Sequence, residues 1–489
     1  MATVMRYRVL IFLVAILSFV SGCAWFGDET QRAEMMAVPA MSQTLADAES
    51  SSTNAAWPQA NWWQSFNMPA LNRLIATALA DNPDFKAAAA RLRQSQAMVD
   101  GQAAELYPTV DANVSFSAQR FSANSTQAKF AGENFRQLLI NPLVLRYHLD
   151  FWGRDQAALE AAVGRSLAVE TELADVKLLL ATAIAASYFD LVTASEKQAI
   201  AESIVADREA LLNLQQVRLT TGLVTETLVL QAKMALHGAQ QLLASIRAEV
   251  ELNKNLLATL AGQGPDWGRS IEITSAVLPK PLALPADLPL RLLAHRPDVS
   301  AARLQAQAAA QEIKVAETAF YPDVNLIAFT GLHSVSLTDV LLQGSSLAYA
   351  VGPSIEFPIF EGGRLRANLS YQEATYDAAV ERYNASLLHA VQDVADALTR
   401  WREIDSRMAA QMQSVADADD AKGLAVSLNR NGLSDRSDLM LANLETHQQG
   451  LRLAALQGQY FKVAVQTIKA LGGGFHDIQA DNQKLSYAH

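Results

Sequence analysis

Cysteine is almost absent from this 489-residue chain: there is one, at position 23. A single cysteine closes no internal disulfide, so the residue needs another explanation. Runs of one charge are missing too. Lys and Arg number 39 against 50 Asp and Glu, net −11, and no basic stretch offers a footprint for nucleic acid. Charged residues make up 18%, below the ~25% of ordinary soluble domains. After Val20 no segment is apolar enough to cross a bilayer as a helix, so any crossing falls to strands. Catalytic signatures are also lacking: no His-x-x-x-His pair, no phosphate-binding glycine loop, no Gly-x-Ser-x-Gly elbow. The eight histidines are scattered without ligand spacing, and Gly472-Gly473-Gly474 has no Lys-Ser/Thr after it. These gaps argue against an enzyme, a metal site and a cofactor.

What is present begins at the N-terminus. Arg6 and Arg8 precede an apolar run from Val9 to Val20, the length of a signal-peptide core rather than of a membrane anchor. Val20-Ser21-Gly22-Cys23 follows, an aliphatic residue and two small ones before cysteine, which resembles a bacterial lipobox. In that reading residues 1–22 are removed and Cys23 is acylated, and several acyl chains hold a protein stably at a membrane where one does not. Residue 24 is Ala, not the Asp that favours inner-membrane retention, so the expected address is the outer membrane.

A duplication organises the rest, with a period of roughly 210 residues. Asn82-Pro83-Asp84-Phe85 recurs as Arg296-Pro297-Asp298-Val299, and Leu106-Tyr107-Pro108-Thr109-Val110-Asp111 as Phe320-Tyr321-Pro322-Asp323-Val324-Asn325. Thr221-Gly222-Leu223 recurs as Asn431-Gly432-Leu433, and Leu260-Ala261-Gly262 as Ala470-Leu471-Gly472. The two repeats span residues 71–264 and 290–472. Residues 23–70, 265–289 and 473–489 are the N-terminal, inter-repeat and C-terminal segments.

Each repeat reads in one order. An Ala/Gln/Arg-rich helical stretch, about 72–105 and again 290–319, ends at Tyr-Pro. Strand candidates follow near 110–121 and 138–151, then near 324–333 and 347–360. Their alternation, plainest at Leu143, Leu145 and Tyr147 against Arg146 and His148, fits either a half-buried soluble sheet or strands between lipid and a wet lumen. Very long proline-free helices come next, 154–219 and 363–429, with return helices at 225–260 and 435–471. Sixty-odd residues at 1.5 Å each make a rod of about 100 Å, which must pack laterally on other rods. Four strands are too few to close a barrel, and lipid tolerates no open sheet edge. A membrane sheet here therefore requires several copies of the chain.

Further landmarks carry a resemblance across almost the whole mature chain. They are Trp62-Trp63-Gln64-Ser65-Phe66 with Leu71, Leu74-Ile75 and Ala78-Leu79; Leu149-Asp150-Phe151-Trp152-Gly153-Arg154; Leu284-Pro285-Ala286-Asp287-Leu288-Pro289; and Phe357-Pro358-Ile359-Phe360-Glu361-Gly362-Gly363-Arg364. In this order they resemble the outer-membrane factor (TolC-like) family, in its lipoprotein branch of multidrug efflux channels. The resemblance implies a mainly α fold with a membrane β-barrel: a homotrimer with a twelve-stranded barrel, four strands per chain, continued by a periplasmic α-helical barrel. The implied partners are a periplasmic adaptor (membrane fusion) protein, a proton-driven inner-membrane pump and outer-membrane lipid. A type I protein secretion duct is the neighbouring alternative, and a lipid-anchored periplasmic coiled-coil scaffold the alternative of a different class. Asn67-Met68-Pro69 departs from the acid before proline that many relatives carry.

The candidate site is mechanical. Gly222 and Gly432 separate paired helices where glycine permits the positive φ of a sharp reversal, and Thr225 and Asp435 are plausible N-caps of the returning helices. The resemblance makes Thr221, Gly222, Leu223 and Val224, and Asn431, Gly432, Leu433 and Ser434, the periplasmic tips where the adaptor docks. It makes Asp438, with Leu441 and Leu228, the residues of a periplasmic gate, where an acidic ring favours cations. Asp438 also reads as an ordinary first-turn acid favoured by the helix dipole. Arg146, His148, Asp150 and Glu356 are expected to face the lumen, and the cluster of Trp57, Trp62 and Trp63 to be packing or interfacial residues rather than functional ones. Cys23→Ser is expected to abolish incorporation of labelled palmitate and to release the chain from the lipid-anchored fraction; retained label would remove the lipobox.

Overall fold

The computed structural model describes residues 32–39, 41, 57–124, 126, 128–273, 295–335 and 344–477. Cys23 and the signal segment lie outside the described residues, as do residues 274–294, including the Leu284–Pro289 landmark, and residues 478–489. After a 3-10 turn, Trp62–Phe66, come helices α1 (Pro69–Asp81) and α2 (Pro83–Ala104) and strands β1 (Thr109–Arg120) and β2 (Asn134–His148). The rod α3 (Arg154–Thr220) returns as α4 (Glu226–Leu260). The second repeat gives α5 (Pro297–Thr318), β3 (Asp323–Ser334), β4 (Leu347–Glu356), the rod α6 (Arg364–Arg430) and its return α7 (Arg436–Ala470).

The first helical stretch is two helices, not the single one expected. Pro83 has no N–H to donate, and Asn82 occupies the break. Its backbone N–H donates to Ala78 O at 2.8 Å, its side chain accepts from Phe85 N at 3.0 Å, and its Nδ2 donates to Leu260 O at 2.9 Å. Two strands also end earlier than expected. β4 stops at Glu356, which pairs with Asp323, the first residue of β3, so Phe357-Pro358 has no strand left to pair with. β2 stops at His148, where the carboxylate of Asp150 accepts from the N–H groups of Arg154, Asp155 and Gln156 at 2.7–3.0 Å and starts α3. Asp150 is thus a helix-starting residue. A carboxylate on otherwise unpaired N–H groups at a positive helix end explains why.

The four strands form one antiparallel sheet in chain order, β1-β2-β3-β4, so β1 and β4 carry free edges. The rods pack laterally: α3 against α4, α5, α7 and α2, and α6 against α7 and α5. The largest core lies where α1, α3, α4 and α7 meet. Phe189 stacks on Phe461 with ring centroids 4.3 Å apart, Phe66 abuts both, and Trp62, Trp63, Leu71, Ile75, Tyr188 and Leu257 surround them. Trp62 and Trp63 are therefore packing residues, while Trp57 stacks on His295 at 4.0 Å.

The Arg296-Pro297-Asp298 motif holds the second repeat's helices together. Buried Arg296 donates to Asp298, to Asp393 of α6 at 2.9 Å and to the carbonyl of Ala470 at 3.3 Å. Beside it in α3, burial pushes the carboxyl of Asp175 from 3.8 up to about 6; Asp298 adds to the rise, and Arg296 and Lys469 oppose it. A carboxylate with a raised folded pKa lets the native state hold a proton that the unfolded chain releases. Its contribution is then favourable below pH 3.8 and is lost as pH rises toward about 6. Asp175→Asn is accordingly expected to raise the thermal unfolding midpoint above pH 6.5 and to leave it unchanged at pH 3.5.

Candidate functional site: hairpin tips and the two-faced sheet

Both helical hairpins turn by the same local chemistry. At the first, Thr221 N donates to Val217 O at 3.2 Å, Gly222 N to Leu219 O at 3.0 Å and Leu223 N to Arg218 O at 2.8 Å. At the second, Asn431 N donates to Ser427 O at 3.1 Å, Gly432 N to Asn429 O at 3.1 Å and Leu433 N to Leu428 O at 2.9 Å. Gly222 and Gly432 stand at φ 73° and 72°, where any Cβ is strained. Leu223 and Leu433 project into solvent, 70% and 73% exposed, large apolar side chains with nothing over them in the single chain. Val224 and Ser434 are half-buried, and the other four tip residues are exposed.

The returning helices start differently. Asp435 forms a capping box with Asp438: Ser437 N donates to Asp435 Oδ1 at 3.3 Å, and Asp435 N to Asp438 Oδ2 at 3.2 Å. Thr225 takes the N-cap position of α4 but makes no side-chain hydrogen bond there. The carboxylate of Asp438 is therefore engaged at the helix start while its side chain stays exposed. Leu441, also on α7, and Leu228, on α4, are 51% and 42% exposed.

One residue that sequence reasoning missed ties the tips together. Arg218, in the last turn of α3, pairs with Asp435 at 2.6 Å and donates to Ser437 Oγ at 3.2 Å. The carboxyl of Asp435 is pushed up by what burial it has, but the Ser437 N–H and hydroxyl and the Arg218 guanidinium outweigh this and hold it below 3.8. A basic residue in a last helical turn was legible. Its partner lies in the other repeat, and no local pattern joins the two. Higher on the same rods, His447 Nε2 of α7 lies 3.3 Å from Asp207 Oδ2 of α3.

The sheet register sorts side chains onto two faces. Val110 pairs Leu145, Val114 pairs Ile140 and Phe116 pairs Leu138; Tyr147 pairs Leu326, which pairs Pro353, and Ala328 pairs Val351. Val110, Val114, Phe116, Tyr349, Val351 and Ile355 of this face are 55–77% exposed. The opposite face carries Thr109, Asp111, Asn113, Ser115, Ser117, Asn325 and Glu356. On it Arg146 pairs with Asp111 at 3.1 Å, and His148 meets Asp155 and, at 3.7 Å, Asp323. A single bulge at Asn141-Pro142 interrupts the ladder, as a residue without an N–H requires. An apolar face with many large side chains exposed, beside a face that carries the polar residues, is the pattern of a strand between lipid and water.

The comparisons agree with this architecture. The family model "outer membrane efflux protein" matches residues 74–263 and 288–473, well over half of the chain. The fusaric acid resistance protein FusA of Burkholderia cepacia is 32% identical over 74% of this chain and 68% of its own length. The multidrug resistance outer membrane protein MdtP of Escherichia coli O6:H1 is 28% identical over 94% of both chains. Among solved structures, the outer membrane protein VceC of Vibrio cholerae superposes with a TM-score of 0.78 at 33% identity, covering 86% of this chain and all of that one.

The chain belongs to the outer membrane efflux protein family, the class its sheet and paired rods define. It is an outer-membrane efflux channel subunit, with strands for a membrane β-barrel and rods for a periplasmic helical barrel. Arg218→Ala is expected to free the second hairpin tip from the first, seen as faster proteolytic nicking near Gly432; unchanged nicking would show that the pair holds nothing.

Proposed function

We propose that three copies of this chain form the exit duct of a tripartite efflux pump for drugs and other small toxic compounds. The duct docks a periplasmic adaptor at its tips and works with a proton-driven inner-membrane pump. It is a passive conduit with no catalytic step. The observation that carries the reading is the pairing of two unclosed sheet edges with two exposed hairpin tips on one chain: the edges call for further copies, and the tips offer a repeated surface at the far end. The names of FusA and MdtP, resistance proteins both, support small toxic cargo.

Lipid anchoring at Cys23 fits the path of the described N-terminal segment. Ala33 N donates to Asp377 at 2.8 Å and Met36 N to Asn384 Oδ1 at 2.8 Å, while Asn384 Nδ2 donates to Glu34 O at 3.1 Å. The segment thus runs along α6 with Arg32, on Glu373, nearest the sheet. Nine residues separate Cys23 from Arg32, a reach of up to ~30 Å when extended, and Glu373 lies only ~14 Å from the start of α6. The acylated end can meet the membrane that the sheet crosses.

At the tips, Thr221, Gly222, Leu223, Val224, Asn431, Gly432, Leu433 and Ser434 present the adaptor surface, and Asp438, Leu441 and Leu228 form the gate. Asp438→Ala is expected to raise conductance or lower cation selectivity in planar bilayers; an unchanged channel would remove Asp438 from the gate. A deletion strain is expected to show lower minimum inhibitory concentrations within a panel of drugs, dyes and metal ions. No change across the panel would overturn small-molecule efflux and point to protein secretion, and a purified protein without conductance would point to a scaffold.

A further inference from the structure

The sheet end remote from the helices carries a cluster of cations that the efflux reading does not use. Between Ala118 and Gln137 the chain has Arg120, Lys129 and Arg136 against one acid, Glu133, in a protein whose net charge is −11. The register decides where two of them point. Phe116 pairs Leu138, and the next pair on that face is Ala118 with Arg136; Arg120 follows two residues further along β1. Both arginines therefore extend the apolar face, not the polar one.

Their height matches a headgroup layer. Ten residues separate Val110 from Arg120, and at ~3.3 Å each along a strand tilted ~40° they rise ~25 Å, the height of the apolar band of such barrels. Arg136 sits one pair below, within reach of the interface for a side chain that extends its charge toward water. Lys129 stands in the loop above them. That loop is pinned: Phe130 packs on Phe121 and Phe135 at 6.2 and 5.6 Å, and those two lie 5.1 Å apart.

The three are also uncommitted. On the polar face Arg146 has Asp111, and at the helix end Arg154 has Asp323 at 3.4 Å. Arg120, Lys129 and Arg136 are exposed and have no ion pair among the described residues. A guanidinium pair at the edge of a hydrocarbon band, with an ammonium above it, matches a ligand that has acyl chains below and phosphate above.

We propose that Arg120, Lys129 and Arg136 form a binding site for the phosphates of a glycolipid of the outer leaflet, whose acyl chains lie along Val114, Phe116 and Leu138. The site rests on the reading that the sheet crosses the outer membrane with its loops outside. The test uses the purified full chain, delipidated and then offered lipid A, phosphatase-treated lipid A or phosphatidylglycerol, with bound lipid counted by native mass spectrometry. Retention of lipid A is expected to exceed that of the other two about tenfold, the worth of one charge-assisted contact, and to fall by a similar factor in R120A/K129A/R136A. Gln119→Ala and Gln137→Ala, on the polar face, should leave retention unchanged.

Equal retention of lipid A and its dephosphorylated form would overturn the site, as would phosphatidylglycerol held as tightly as lipid A. Full retention by the triple variant would overturn it too. If that variant does not assemble, the comparison of the lipids on the unaltered protein decides. Conductance of the same preparation separates the two readings: a conducting channel indifferent to phosphate loses only this site, whereas a protein that conducts nothing loses the membrane sheet itself.

Discussion

A sheet of four strands with free edges at β1 and β4 cannot rest in hydrocarbon by itself, because each unpaired N–H and C=O there would forfeit its hydrogen bonds. Most of the remaining architecture depends on that constraint. The apolar face from Val110 through Val351 to Ile355 has many large side chains exposed in the single chain, so the sheet is built for lipid on one side and for other strands at its edges. The polar face has its own pairing, Arg146 with Asp111 and His148 with Asp155 and Asp323, which lets charged groups stand in a wet interior.

The rods obey a similar logic in water. A helix of 67 residues has no core of its own and is held only where neighbours bury its stripe. The aromatic stack of Phe66, Phe189 and Phe461 fastens the first repeat to the last helix, and Arg296 does the same for α5, α6 and the end of α7. Toward the tips burial thins and the ties become polar, with His447 facing Asp207 and Arg218 holding Asp435. Burial is densest at the aromatic stack in the middle of the rods and thins toward the hairpin tips.

Much of this was legible locally. Proline-free stretches marked the rods, Gly222 and Gly432 marked their reversals, and alternation at Leu143, Leu145 and Tyr147 marked a two-faced strand. Other features were misread where a local rule had a competitor. Asp150 fits an alternating strand pattern, yet three unpaired N–H groups at the start of α3 claim its carboxylate. Pro83 sits inside a helical composition, and its missing N–H divides the stretch there. Asp438 satisfied two readings at once, and the capping box shows what its carboxylate does in the single chain.

The sequence by itself determined the element order, the duplication and the turns, because helix period, strand period and the positive φ of glycine are properties of a few neighbouring residues. From Val20 to Cys23 it also supplied the expectation of a lipid anchor. Only the tertiary structure decided which charges meet: Arg218 with Asp435 and Arg296 with Asp393 are joined by the packing of rods that are far apart in the chain. It likewise decided that Arg120 and Arg136 stand on the apolar face. Strand register sets which residues share a face, and register belongs to the pair of strands rather than to either one.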